Sequence, residues 1–290
     1  MPQSGPALSI ILPAKDEASI LPALLHRIRT LHPGAELIVV DDGSTDETAR
    51  VAREAGARVV SHPYSLGNGA AVKSGARAAG GEILVFLDAD GQHLPEDIDR
   101  LVAPLAAGYA MVVGARDCGS QTNRLRAFAN AFYNHLSSWV VGHRVLDLTC
   151  GFRAVRADLF RRFLYLLPNG FSYPTTITMA FFRVGYPICY VPFHAPPRLA
   201  NQSHLHPMKD GVKFLLIIFR IGVLYSPLKI FFPISLSLFL LGLLRYGYTY
   251  WTADLLTNMS VLLWITAVLT FLIGLVSEQV TTLLYRESGS

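Results

Sequence analysis

Two carboxylates one residue apart, Asp88 and Asp90, stand where an apolar run stops, in Phe86-Leu87-Asp88-Ala89-Asp90-Gly91-Gln92-His93. A lone buried carboxylate is costly, so a pair at a strand's end demands a cation or a set of donors. With the amide of Gln92 they offer hard oxygen ligands, which suit Mg2+ or Mn2+ and not zinc. A cation with open positions is what a departing diphosphate needs. The plainer reading of the same residues is a strand-end turn with solvated aspartates. Two further acidic clusters, Lys15-Asp16-Glu17 and Asp41-Asp42, each follow an apolar stretch of their own. In an alternating α/β chain all three converge beyond the carboxyl ends of the strands, where ligands bind.

The elements that position these residues are legible from periodicity. Strands are predicted over 7–12, 36–40, 58–60, 83–87 and 111–113. A helix is predicted over 19–31, where Ile20, Leu24, Ile28 and Leu31 recur at helical spacing. Others run from a cap at Thr45 or Asp46 to about 55, over the Ala-rich 70–79, and from near Pro95. Strands alternating with helices give a mostly parallel sheet covered on both faces. Gly67-Asn68-Gly69, opening a helix, fits either a phosphate cradle or a tight turn, and matches neither the Walker nor the full dinucleotide pattern. Lys73, one turn on, faces either the site or solvent.

Of the 290 residues, 51% are hydrophobic and 16% charged, apolar for a soluble α/β protein. The excess lies beyond Phe214. Lys209, Lys213 and Arg220 form a basic stripe, the pattern of an interfacial amphipathic helix, although a plain surface helix would share it. Stretches 228–250 and 257–276 are each long enough to cross a bilayer core of ~30 Å. Pro233 is tolerable in such a helix. Arg245 can snorkel beside the interfacial Tyr246, Tyr248, Tyr250 and Trp251. The spans should form a hairpin. Basic residues before the first (Lys209, Lys213, Arg220, Lys229) and after the second (Arg286) place both chain ends in the cytoplasm. Domains are therefore expected over 1–206, 207–226 and 227–290, catalytic, juxtamembrane and transmembrane.

The first residues show no basic-then-apolar leader, so export of the first domain is not expected. Cys118, Cys150 and Cys189 are odd in number and lack metal-ligand spacing, which points to small apolar residues in a reducing compartment. The formal charge of +4 suits an anionic membrane surface. Without a dense basic run or an RNA-stacking motif, nucleic acid is not an expected partner.

Four motifs in order, Pro13-Ala14-Lys15-Asp16-Glu17, Asp41-Asp42-Gly43-Ser44-Thr45-Asp46, Asp88-Ala89-Asp90-Gly91-Gln92-His93 and Asp147-Leu148-Thr149-Cys150-Gly151-Phe152-Arg153, resemble those of family 2 glycosyltransferases. More closely, residues 7–205 are similar to the dolichol-phosphate mannose synthase and bacterial polyprenyl-phosphate hexose synthase branch. The resemblance implies a Rossmann-like GT-A domain, with the two-span hairpin of bacterial members. It also implies inverting transfer of a hexose from GDP-mannose or a UDP-hexose to a polyprenyl phosphate at the cytoplasmic face of the inner membrane.

Carried over by position, Pro13, Lys15, Glu17, Val40 and Asp42 would hold the nucleoside. Asp88, Ala89 and Asp90 would lie along the donor, with Asp88, Asp90 and Gln92 handling Mg2+ or Mn2+. Arg116, Arg126, Asn130 and Arg198 would hold the lipid phosphate, and Arg198 and His204 would reach the donor as well. Asp90, Arg116 and Arg126 would carry the catalysis. Three departures stand out. Lys15 and Asp16 replace an aromatic and an Asn, Asn130 replaces a serine, and His204 replaces a lysine with a group charged only part of the time at neutral pH.

The chemistry also stands without the family. A lipid monophosphate, with a second pKa near ~6, is already an anionic nucleophile at pH 7 and needs no base. It needs cations to approach a charged donor and a metal to stabilise the leaving group. No Ser-His-Asp or Cys-His arrangement is evident. A homo-oligomer is compatible with this reading. The alternatives are a family 2 enzyme with a diacylglycerol or glycan acceptor, which would require a general base, and a catalytically silent nucleotide-sugar-binding membrane scaffold.

Overall fold

The structure, a computed structural model, describes residues 7–116, 134–135, 137–139, 141–170, 172–194, 219, 222–223, 225–253 and 255–286. It divides into two compact units, one built on a sheet and one containing two long C-terminal helices.

In the first unit, β1 (Leu8–Ala14), α1 (Leu21–Leu31), β2 (Glu36–Asp41), α2 (Thr48–Glu54), β3 (Arg58–Ser61), α3 (Asn68–Ala78) and β4 (Ile83–Phe86) alternate as the periodicity predicts. A 3-10 turn at Pro95–Asp97, α4 (Ile98–Ala106), β5 (Met111–Arg116), β6 (Arg153–Arg156), α5 (Ala157–Arg161), α6 (Tyr173–Val184) and β7 (Ile188–Phe193) follow. The sheet order is β3-β2-β1-β4-β6-β5-β7. Every neighbouring pair is parallel except those of β6, which runs antiparallel between β4 and β5. All four residues of β4 are buried, as expected of a central strand covered on both faces. Gly75 lets α3 lie close on the sheet, because a Cβ there would overlap the Ile11 side chain.

Four elements escape the sequence reading, the short α5 among them. β6 is four residues long with arginine at each end, β7 contains Pro192, and α6 opens on Tyr173-Pro174-Thr175-Thr176, whose β-branched residues are weak helix formers. β1 also runs past Pro13, where the reading closed it. Its pairing to β4 ends at Ile11↔Phe86, so the missing N–H of Pro13 removes no bond from that ladder.

In the second unit, α7 (Pro227–Ala253) and α8 (Asn258–Arg286) form a hairpin. Each contains a 26-residue stretch long and apolar enough to cross a membrane. Their most apolar windows are only 11% and 17% buried, unlike core helices of a soluble domain. Glycines let the helices meet: a Cβ at Gly242 would lie 2.7 Å from Trp264, and one at Gly274 2.7 Å from Phe231. The Ser235 hydroxyl donates to the Ala267 carbonyl across the pair at 2.7 Å. The basic stripe expected at Lys209, Lys213 and Arg220 lies outside the described residues.

Candidate active site

Beyond Leu87, whose N–H still bonds Ile11 O of β1, the β4 ladder stops and the chain turns sharply. Gly91 takes φ +76°, a conformation open to glycine at little steric cost. The Asp90 carboxylate accepts the Gln92 N–H at 3.1 Å, and His93 Nδ1 accepts the Asp88 N–H at 3.1 Å. The Asp88 side chain is one-third exposed, while that of His93 is 6% exposed. Burial pushes the imidazole pKa down, with the Asp88 and Asp90 charges opposing, and the net shift is downward. A ring nitrogen that accepts a hydrogen bond carries no proton, so the proton sits on Nε2.

Among the described residues no cluster of three or more His, Cys, Asp or Glu is placed to hold a metal ion. Asp88 and Asp90 are thus a partial set. That suits Mg2+ or Mn2+, which commonly take one or two carboxylates and fill the remaining positions with phosphate oxygens and water.

Facing this turn is the segment that enters β6. Arg116, at the end of β5, donates Nε to Asp147 Oδ2 at 2.8 Å and Nη2 to Asp147 Oδ1 at 3.0 Å, with Thr149 Oγ1 at 2.6 Å from Nη2. Burial alone would raise the Asp147 carboxyl, but the guanidinium and backbone donors outweigh it and hold the group below the usual carboxylate range. The neighbouring Cys150 thiol is pushed up to about 12 by burial and by Asp147, so it is inert. The Asn134 amide clamps the segment by donating to Leu146 O at 2.7 Å and accepting the Leu148 N–H at 3.2 Å. Gly151 abuts the acidic turn: a Cβ there would lie 2.8 Å from Asp88 Oδ2. Arg153, fully buried, reaches Cys150 O, Pro174 O at 3.1 Å and Thr178 Oγ1 at 3.3 Å, tying the segment to α6.

At the ends of β1, β2 and β3, three loops clip one another. Asp16 adopts φ +55°, which a short polar side chain tolerates, and its Oδ1 accepts both the N–H (2.7 Å) and the hydroxyl (3.1 Å) of Thr45. Thr48 Oγ1 accepts the Glu17 N–H at 2.9 Å, and Asp46 accepts that of Ala18 at 3.1 Å. The Asp42 carboxylate takes four donors: His62 Nδ1, Leu66 N–H and Ser65 Oγ at 2.8 Å, and Gly67 N–H at 2.9 Å. Burial raises its pKa and these bonds lower it, leaving it below the ordinary value.

The structure brings together Asp88, Ala89, Asp90, Gln92 and Arg116. It places Pro13 near the end of β1, and Lys15, Glu17 and Asp42 on the loops at the same sheet end. Val40, also expected at the nucleoside, lies within β2 and is fully buried. Asp42 is also more committed than expected, since its oxygens already serve the 62–67 loop. The turn reading holds for Gly67-Asn68-Gly69. A Cβ at Gly67 would lie 2.5 Å from Asn169 O, and that carbonyl already accepts the Ala70 N–H. Lys73, half-buried, donates to Leu167 O at 3.0 Å and Asn169 Oδ1 at 2.5 Å. Arg126, Asn130, Arg198 and His204 lie outside the described residues. Sequence reasoning assigned no role to Asp147, Gly151, Arg153 or His93, although all four stood in the motifs; what it lacked was their pairing across the sheet.

A mixed α/β sheet of this order, with an Asp-x-Asp turn at the end of β4, defines a GT-A glycosyltransferase domain. The chain belongs to glycosyl transferase family 2, whose pattern matches residues 9–165, and the GtrB C-terminal hairpin pattern matches residues 226–283. It is 30% identical over 211 residues to an undecaprenyl-phosphate mannosyltransferase of Micrococcus luteus, covering 67% of this chain and 86% of that protein. It is 34% identical over 162 residues to an undecaprenyl-phosphate 4-deoxy-4-formamido-L-arabinose transferase of Proteus mirabilis, covering 52% of this chain and 49% of that one, so it spans about half of that relative. Among solved structures, glucosyl-3-phosphoglycerate synthase from Mycobacterium tuberculosis, in complex with Mn2+, UDP and phosphoglyceric acid, aligns with a TM-score of 0.61 and 26% identity, over 75% of this chain and 79% of that one.

Proposed function

We propose that this protein transfers a hexose, with inversion, from a nucleotide-diphosphate sugar to a polyprenyl phosphate at the cytoplasmic face of the membrane. The observation that carries the reading is the Asp88–Asp90 turn, held at the sheet's ligand-binding end of a chain that also contains two membrane-length helices. Relatives named for undecaprenyl-phosphate and polyprenol substrates support the acceptor class. A structural neighbour crystallised with Mn2+ and UDP supports the donor and the cation.

In this reading Asp88, Asp90 and Gln92 hold Mg2+ or Mn2+, which supplies charge stabilisation to the leaving diphosphate. Pro13 near the end of β1 and the loops carrying Lys15, Glu17 and Asp42 seat the nucleoside. Asp147 commits the Nε–Nη2 edge of Arg116, so an incoming lipid phosphate meets the Nη1 side; Arg126, Asn130 and Arg198 complete its cradle, with His204 beside the donor. The acceptor arrives as an anion, and no side chain has to remove a proton from it.

The test is a transfer assay of the purified chain with GDP-mannose and UDP-hexoses against undecaprenyl and dolichyl phosphates. Transfer only to a diacylglycerol, or none with any pair, would overturn the reading. In the same assay Arg126→Ala should weaken use of the lipid about tenfold, equivalent to one charge-assisted contact of ~1.5 kcal/mol. The donor KM should change less. A rise in donor KM alone would remove that arginine from the acceptor site.

Orientation is testable separately. In a chain with its three native cysteines replaced, a cysteine at Leu255, between α7 and α8, should react with an impermeant thiol reagent in intact cells. One at the exposed Tyr64 of the sheet unit should react only after lysis. The opposite pattern refutes a cytoplasmic catalytic domain.

A further inference from the structure

We propose that His93 is a positioning residue for the acidic turn, fixing the direction in which Asp88 presents its carboxylate; this rests on the reading of Asp88 as a cation ligand. The main chain shows why such a residue is needed. The Leu87 N–H faces β1, so the Asp88 N–H faces β6, whose pairing with β4 ends at Phe86↔Arg153 and supplies it no strand carbonyl. A donor left unpaired at a half-buried site is destabilising, and His93 Nδ1 takes it at 3.1 Å.

The imidazole in turn is held by packing. It stacks on Phe152 with centroids 4.9 Å apart and planes 14° apart, and meets the edge of Phe193 at 5.7 Å. Gly114 of β5 makes room for this clamp, because a Cβ there would lie 3.0 Å from the Phe193 ring and 3.2 Å from the Phe152 ring. Strands β5 and β7 and the entry to β6 therefore converge on one imidazole ring. A histidine that merely filled space would need no acceptor aimed at a backbone amide, and phenylalanine would replace it.

That contrast sets the experiment. Asn places its Oδ1 as many bonds from Cα as Nδ1, whereas Gln places its acceptor one bond farther, near the position of Nε2. Mn2+ binding to the full chain in detergent is followed by electron paramagnetic resonance with UDP and, separately, with GDP, alongside thermal melts and kcat. His93→Asn should bind Mn2+ within about threefold of the parent. His93→Gln and His93→Phe should bind about tenfold more weakly, in the range seen when outer groups of metal sites are lost, with a matching fall in kcat. The Asn and Gln variants should melt alike. Equal Mn2+ affinity for Asn and Gln overturns the proposal, as does a Phe variant that binds like the parent. If Phe fails to fold, the Asn–Gln pair still decides. A parent chain that holds no Mn2+ with either nucleotide brings down the cation reading itself, a failure distinct from that of His93 alone.

Discussion

Asp90→Asn is expected to lower turnover by at least ~100-fold while leaving the melting temperature close to that of the parent. The turn accepts the change because its fixed bond is to an oxygen: Asp90 Oδ1 takes the Gln92 N–H, and the Asn carbonyl oxygen can do the same. What disappears is one negative charge beside the leaving diphosphate. Removing a single preorganised stabiliser of transition-state charge typically costs ~10²–10³ in kcat. Chelation by EDTA should reproduce the loss in the parent, and added Mg2+ or Mn2+ should restore it. Near-normal turnover in EDTA, or an Asn variant that turns over like the parent, would remove the cation from the reaction.

Gly151→Ala should lower activity by about 100-fold through the same carboxylate, by displacement instead of neutralisation. The added Cβ would stand 2.8 Å from Asp88 Oδ2 and 3.2 Å from Oδ1, inside contact distance of both oxygens. The nearest atoms are the end of a side chain and not backbone, so Asp88 can swing away at modest cost. Stability should therefore fall little, while the carboxylate loses the position in which it meets the cation; the kinetic loss expected is that of one misdirected charge stabiliser. Activity and melting temperature, measured together, make the check. A variant that unfolds instead, or one that keeps both activity and stability, would show that Gly151 does not set the place of Asp88.

The acidic turn was legible because its signal is local: an apolar run, then Asp-x-Asp, within eight residues. The alternation from β1 to β4 was legible for the same reason, and so were the two C-terminal helices, whose length needs no partner to be read. What sequence could not show is which groups satisfy each other over a distance. Asp42 reads as holding the nucleoside, and nothing in the sequence signals that its oxygens hold the 62–67 loop. Arg116 reads as a phosphate-binding cation, and its pairing with Asp147, 31 residues on, could not be read from spacing. Lys73 looked undecided until Asn169 met it. His93 was quoted in the motif without a task, because the N–H it serves is orphaned only once β4 stops pairing. β6 itself hid for a related reason: Arg153 is a buried strand residue, and a fully buried arginine is a rare choice that periodicity does not anticipate.

The reversed strand β6 also has a consequence for how the molecule is made. Strand β4 pairs on one side with β1, which precedes it, and on the other with β6, which is translated ~67 residues later; at the usual 5–20 residues per second this leaves its edge open for roughly 3–13 s on the ribosome. That edge is Ile83-Leu84-Val85-Phe86, an uncharged apolar strand of the kind that invites pairing with another chain. A nascent chain stalled before residue 153 should therefore be a prime client for chaperones, and the Asp88 turn can receive Gly151 against it only after β6 has closed the gap.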